Sequence, residues 1–179
     1  MFRFDNDYIF KGKHSQYVKD LTDSFGKKES YKIFDRNLDV LILAPIIGFL
    51  NKRLGEIDNT DVINKTSILL AQLLRGREEL LLSYRLIMLE DIEYEKNYEK
   101  RIEKAFKYSD FPIDEKDLEH FEKYILGGVE ILHKKIIGKG KITDDYILNL
   151  VHFINEFELN NNNKESLEEL ENIEDLIEC

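Results

Sequence analysis

FDRNLDVLILAPIIGFLNKR, residues 34–53, is the stretch on which the fold of this chain turns. Asp35, Arg36 and Asp39 stand at its head, Val40 to Asn51 carries no charge, and Lys52-Arg53 closes it. β-Branched alternation is scarce throughout the chain, so the run reads as a buried helix over 36–52. Asp35 is the expected N-cap, since its carboxylate can accept from the free N–H groups of the first turn. Pro45 removes one backbone hydrogen bond and is expected to kink or split the helix. Gly48 nearby permits close backbone contact. The apolar part, 38–50, is shorter than the roughly twenty residues that a membrane span requires.

A second stretch, FEKYILGGVEILHKKII at 121–137, carries two glycines inside an amphipathic pattern. Leu118, Phe121, Ile125, Gly128 or Val129, and Leu132 recur at helical spacing. The spacing predicts a helix over about 114–137, capped by Asp114 and ended by Gly138-Lys139-Gly140. Each internal glycine costs about 1 kcal/mol against alanine. That cost usually accompanies close approach of another backbone, either in a groove for a partner or in tight helix packing, and the second reading is favoured.

Working outward, Phe2, Phe4, Tyr8, Ile9 and Phe10 suggest an extended arm or short strand lying on the body. A helix is expected from about His14 to Asp23, a loop from Leu54 to Asn64, and helices over Ser67–Arg75 and Arg77–Ile92 with a break at Gly76. Tyr94, Tyr98, Ile102 and Phe106 follow helical spacing, with Glu95, Glu99, Glu103 and Lys96, Lys100, Lys104 around them. Such pairs are worth about 0.2–0.5 kcal/mol each on a solvated helix. Tyr108–Pro112 reads as a turn. Thr143 is expected to cap a last core helix through Glu158, with Ile147, Leu150, Val151, Ile154 and Phe157 facing in. Asn160–Asn163 is a polar linker to a stripe of Leu167, Leu170, Ile173 and Ile177 on an acidic segment.

Composition bounds the function. The chain has 179 residues, 42% hydrophobic and 35% charged, with a net charge of −10. That is enough for one domain with a real core, and the bulk field repels nucleic acid and anionic membrane. The charge is uneven: residues 1–55 hold ten Lys/Arg against seven Asp/Glu, and residues 160–179 hold one Lys against seven acids. Cys179 is the single cysteine, so no internal disulfide and no multi-cysteine zinc site is expected, which fits a reducing cytoplasm. The opening MFRFDNDYIF, with early acids and no long apolar core, does not read as a signal peptide.

No motif carries recognisable catalysis. His14, His120, His133 and His152 are scattered and read as surface or cap residues, with no HExxH spacing. Glu90-Asp91 with Lys96 superficially resembles a nuclease acid–acid–lysine set, but the context reads as helical. Gly138-Lys139-Gly140-Lys141 lacks phosphate-loop spacing, and no GxSxG elbow is present. Arg36, Lys52 and Arg53 bracket the apolar helix, and Arg75, Arg77 and Arg85 follow. The bland reading is solvated helix ends; the sharper one is an anion or nucleic-acid contact set of Arg36, Lys52, Arg53, Arg75 and Arg77. The stripe Leu167, Leu170, Ile173, Ile177 is a candidate docking surface, because so short a helix is marginal alone.

Leu43-Ala44-Pro45-Ile46-Ile47-Gly48-Phe49 with Lys52-Arg53, and Phe121-Glu122-Lys123-Tyr124 with Gly127-Gly128-Val129-Glu130-Ile131-Leu132, resemble the motifs of small accessory proteins of Dnd (DNA phosphorothioation) systems, in particular their fourth type. The resemblance spans about residues 8–157 and rests on short motifs. It departs at Pro45, at Ile125-Leu126, in the longer charged middle and in the acidic tail. It implies company with bacterial defence machinery and brings no catalytic residue with it.

The expectation is therefore a mainly α chain: one helical bundle over 1–158 of about six or seven helices, with a short extended N-terminal arm, then a linker and acidic amphipathic segment over 159–179. The leading functional expectation is a cytoplasmic, non-enzymatic accessory subunit of an antiphage complex. It would act on a protein partner or a second copy, with neither metal, cofactor nor membrane. A nucleic-acid-binding module is the alternative, and a helical enzyme with a site assembled from distant residues is the third.

Overall fold

An apolar run that carries no charge must bury much of its surface, and in the computed structural model the run within 34–53 is a central helix that buries one broad face, with Leu43 and Leu50 left exposed. The structure describes residues 3–25, 31–59, 65–107, 114–138, 140 and 144–159. The order is β1 (Tyr8–Lys11), α1 (Gly12–Thr22), α2 (Asn37–Leu50), β2 (Lys65–Ile68), α3 (Leu70–Leu73), a 3₁₀ turn (Leu74–Gly76), α4 (Arg77–Glu90), α5 (Tyr98–Phe106) and α6 (Glu115–Leu132). A π turn over His133–Ile137 follows, and residues 144–159 form a further helix, α7. The fold is mainly α, as expected, with only a two-stranded sheet among the described residues. None of the described helices is long and apolar enough to cross a membrane.

Helix α2 starts differently from the sequence expectation. Arg36, not Asp35, is the N-cap. The Asp39 carboxylate, in the first turn, accepts from the Arg36 backbone N–H at 3.0 Å and from its guanidinium at 2.6 Å. An anion there answers both the unpaired N–H groups and the positive end of the helix dipole. Pro45 lies inside α2 without splitting it. Leu38, Val40, Leu41, Ala44, Pro45, Ile47 and Gly48 are buried.

The main partner of α2 is α6. Leu118, Phe121, Ile125, Val129 and Leu132 are all at most 4% exposed, so the sequence register of α6 holds. The glycines explain how near the two helices come. A methyl group on Gly128 would strike the Ala44 carbonyl, and one on Gly48 would strike the Tyr124 carbonyl. Gly127 stands equally close to the Arg53 carbonyl. Beyond α2, the Gly55 N–H donates to the Lys123 carbonyl at 2.8 Å, which fastens the exit of α2 to α6. The glycine pair thus serves tight packing.

The N-terminal arm is a real strand. Tyr8 and Phe10 are buried and Ile9 and Lys11 exposed, and β1 pairs antiparallel with β2 in the register Tyr8↔Ile68 to Lys11↔Lys65. Phe4 packs among Tyr84 and Phe121, whose own rings meet edge to face at 5.5 Å. The helix expected over Ser67–Arg75 is corrected to strand through Ile68 followed by short helical turns. Thr66 and Ile68 face inward, and the Thr66 and Ser15 hydroxyls bond at 2.8 Å in the interior. That pairing with β1 outweighs weak local helix propensity.

The chain clusters into two compact units, 1–134 and 135–179, where the sequence reading divided it at 158. In the second unit, α7 does not present the inward face expected. Ile147, Val151, Ile154 and Phe157 are 40–48% exposed. Asn149 Nδ2 donates to the Ile136 carbonyl and Lys135 pairs with Glu156. The Tyr108–Pro112 turn, the Thr143 cap, Phe2 and the segment 160–179 lie outside the described residues.

Gly128→Ala is expected to cost about 2 kcal/mol, because overpacking at the upper end of about 1–3 kcal/mol is offset by about 1 kcal/mol of helix propensity. Urea midpoints at unchanged m would read it, with exposed Lys123→Ala as a control within about 0.5 kcal/mol. A Gly128→Ala protein as stable as the parent would contradict the close crossing.

Candidate functional site

The five cationic candidates do not form one patch. Arg36 is occupied by Asp39 at the start of α2. Lys52 and Arg53 lie past the other end of that 14-residue helix, which is about 20 Å long at 1.5 Å per residue. Lys52 pairs with Glu93 at 3.0 Å, both side chains exposed. Arg53 grips Glu130 Oε2 through Nε at 2.9 Å and a terminal nitrogen at 2.5 Å. Arg77 opens α4 and is half-buried. What the fold does bring together is Arg36 and Arg75, 39 residues apart in sequence. They line one open cavity of about 330 Å³ with Lys32, Thr22, Asp35, Asn37, Leu38, Ser67 and Gln72. Gly76, packed against Ile42 and Leu38 side chains, brings the 3₁₀ turn that carries Arg75 onto α2.

Two polar networks were not legible in the sequence. The first is centred on Asp91, which caps the end of α4 and is 5% exposed. Asp91 Oδ2 accepts from the Tyr124 hydroxyl at 2.7 Å and meets His120 Nε2 at 2.7 Å, while Oδ1 accepts from the Tyr94 N–H. The His120 ring stacks on Tyr94 with centroids 3.8 Å apart. The Tyr94 hydroxyl and Lys104 Nζ both donate to Asp117 Oδ1, at 2.7 and 2.6 Å. The network therefore ties the end of α4, and Lys104 of α5, to α6. Burial alone would raise the Asp91 pKa, but His120, Tyr124 and the Tyr94 N–H outweigh it and hold the carboxyl below its usual range. Burial, followed by the hydrogen bonds to Asp117 and Asp91, pushes both phenols, Tyr94 and Tyr124, well up. The Glu90-Asp91 and Lys96 set, read in a helical context, thus lies at the end of α4 and in the connection after it, with Asp91 buried.

The second network is centred on Glu130. Its Oε1 meets Lys13 Nζ at 2.9 Å and His14 Nε2 at 3.1 Å, and its Oε2 takes Arg53. Burial would raise the Glu130 pKa, and Lys13 and Arg53 overcome that to hold it low. His14, expected at the surface, is fully buried in α1. Burial lowers its pKa against the pull of Glu130, so it is neutral at pH 7. One turn further on, His133 meets Asp20 at 2.8 Å and stacks on Tyr17 at 4.0 Å. Two histidine–carboxylate pairs therefore staple α1 to α6 and the turn that follows it. Among the described residues no cluster of three or more His, Cys, Asp or Glu is placed to hold a metal ion.

The apolar face of α7 is the third feature. Ile147, Val151, Ile154 and Phe157 recur at i, i+4, i+7 and i+10, one stripe of a helix. Asp144, Asp145, Glu156 and Glu158 lie on the same 16 residues, which contain no Lys or Arg. The docking candidates Leu167, Leu170, Ile173 and Ile177 lie outside the described residues.

No family model, no curated protein and no solved structure matches this chain.

The titrating groups give stability a definite sign. His14 has a folded pKa below its unfolded value near 6.5, so the unfolded chain binds more protons and stability falls as pH drops below that unfolded value. Asp91 and Glu130 have depressed folded pKa values, so their contributions are complete above the unfolded range near pH 4 and vanish below it. Denaturant midpoints are expected to decline in two stages on acidification. His14→Gln should remove the upper stage, and Asp91→Asn should flatten the lower. A midpoint independent of pH between 7 and 3 would refute the assignment.

Proposed function

We propose that this chain is a non-enzymatic adaptor subunit that works through protein–protein contacts, with the apolar face of α7 as its docking surface. The observation that carries the reading is that stripe: large aliphatic and aromatic side chains, 40–48% exposed, on a helix with four acids and no bases. Contiguous exposed apolar surface rimmed by charge marks contact sites. The acidic rim selects the partner. A second copy would set like charges against each other, whereas a helix or groove with an apolar centre and a Lys/Arg rim complements it.

The resemblance of the Leu43–Arg53 and Phe121–Leu132 motifs to Dnd-associated accessory proteins suggests the setting, a cytoplasmic assembly linked to DNA modification and antiphage defence. The nucleic-acid reading has less support. Arg36, Lys52 and Arg53 are each committed to a carboxylate of the same chain, and the net charge of −10 opposes a polyanion.

The test is affinity purification of the native full-length chain from its own host, with quantification of what co-purifies in stoichiometric amount. The partner is expected to be lost from a Val151→Glu/Ile154→Glu protein that keeps its circular dichroism and denaturant midpoint. The complex should weaken as salt rises from about 0.05 to 0.5 M, since the rim charges become screened. A chain that stays monomeric and alone, or a partner retained by the double variant, would overturn the proposal.

A further inference from the structure

We propose that the cavity at the start of α2 is a binding site for a small phosphorylated, hydroxyl-bearing molecule, of the sugar-phosphate class. The argument begins with unused hydrogen-bonding groups. Lys32 and Arg75 line this cavity and neither has a hydrogen bond or ion pair among the described residues.

Two amides stand in the lining. Gln72 Oε1 accepts from the Leu69 N–H at 3.1 Å, so its NH₂ end remains as a donor. The Asn37 amide lies 3.1 Å from the Thr22 hydroxyl, whose single proton goes to the Val18 carbonyl at 2.9 Å. An ammonium, a guanidinium and an amide NH₂ group therefore share one cavity, and their common complement is an anion rich in acceptor oxygens. Held near one another without such a ligand, Lys32 and Arg75 repel across the pocket.

The rest of the lining narrows the ligand class. The volume, about 330 Å³, is at the small end of ligand pockets, which run from about 300 Å³ upward. Among the described residues the lining includes no aromatic ring on which a base could stack. Among the same residues Asp35 is the one carboxylate against three cations, and the Ser67 hydroxyl lies with it. An acceptor of that kind binds sugar hydroxyls and discourages a run of backbone phosphates. The cavity residues belong to the first unit and the α7 residues invoked for docking to the second, so each proposal can fail without the other.

The experiment is calorimetric titration of the full chain at about 50 mM salt with ribose 5-phosphate, with ribose, inorganic phosphate and a short single-stranded oligonucleotide as parallel arms. Saturable binding of ribose 5-phosphate is expected, tighter than inorganic phosphate and absent for ribose. Lys32→Gln and Arg75→Gln should each weaken it about tenfold or more, the loss of a charge-assisted hydrogen bond. Both positions are exposed, so their unfolding midpoints should match the parent. Any of three results would overturn the proposal: no saturation by ribose 5-phosphate at millimolar concentration, equal affinity in the two variants, or binding of the oligonucleotide alone. Inorganic phosphate binding as tightly as the sugar phosphate would refute the hydroxyl-bearing class.

Discussion

The close crossing of α2 and α6 is the constraint on which the rest of the first unit depends. Ala44 and Gly48 on one helix lie against Gly128 and Tyr124 on the other at a separation that leaves no room for a methyl group. Removing two side chains from a helix forfeits propensity. The return is dispersion contact along two backbones and burial of an almost uncharged helix. With α2 fixed in this way, Arg53 and Gly55 are carried to the surface of α6, where one pairs with Glu130 and the other with the Lys123 carbonyl. A crossing even one methyl wider would separate both.

Around that contact the polar groups act as positional ties. Asp91 and Glu130 are each met by three groups of the chain. Each joins segments far apart in sequence, α4 to α6 in the first case and α1 to α6 and the end of α2 in the second. A carboxylate with all its partners in place tolerates burial; one with a partner missing does not. These ties therefore set the register of helices whose apolar faces alone would allow some sliding. They also account for most of the histidines. Three of the four meet carboxylates.

The two surface features left over differ in kind, which is why they are read differently. The α7 stripe is apolar with an acidic border and complements a folded partner. The cavity at the head of α2 is polar and donor-rich and complements a small anion. The paired state of Arg36, Lys52 and Arg53 bears on both: each of the three meets a carboxylate of the same chain, whereas Lys32 and Arg75 have no such pair among the described residues.

Local pattern was enough for much of the architecture. The Leu118-Phe121-Ile125-Val129-Leu132 face, the Asp114 cap, the helix over the apolar run and the tight contact at Gly128 were all readable, because helical periodicity and the cost of an interior glycine are properties of neighbouring residues. Tertiary structure decided the rest. Whether Thr66 and Ile68 form a strand depends on Tyr8 and Phe10 more than fifty residues earlier. Whether Ile147, Val151 and Ile154 face a core or water depends on what packs against them, since amphipathic spacing specifies a face without naming its cover. The meeting of Asp91 with His120 has no sequence signal at all, and that Arg75, but neither Lys52 nor Arg53, lines a cavity with Arg36 is equally invisible in the chain. Each follows from a chain path set by the α2–α6 crossing, and only the folded path turns residues distant along the chain into neighbours in space.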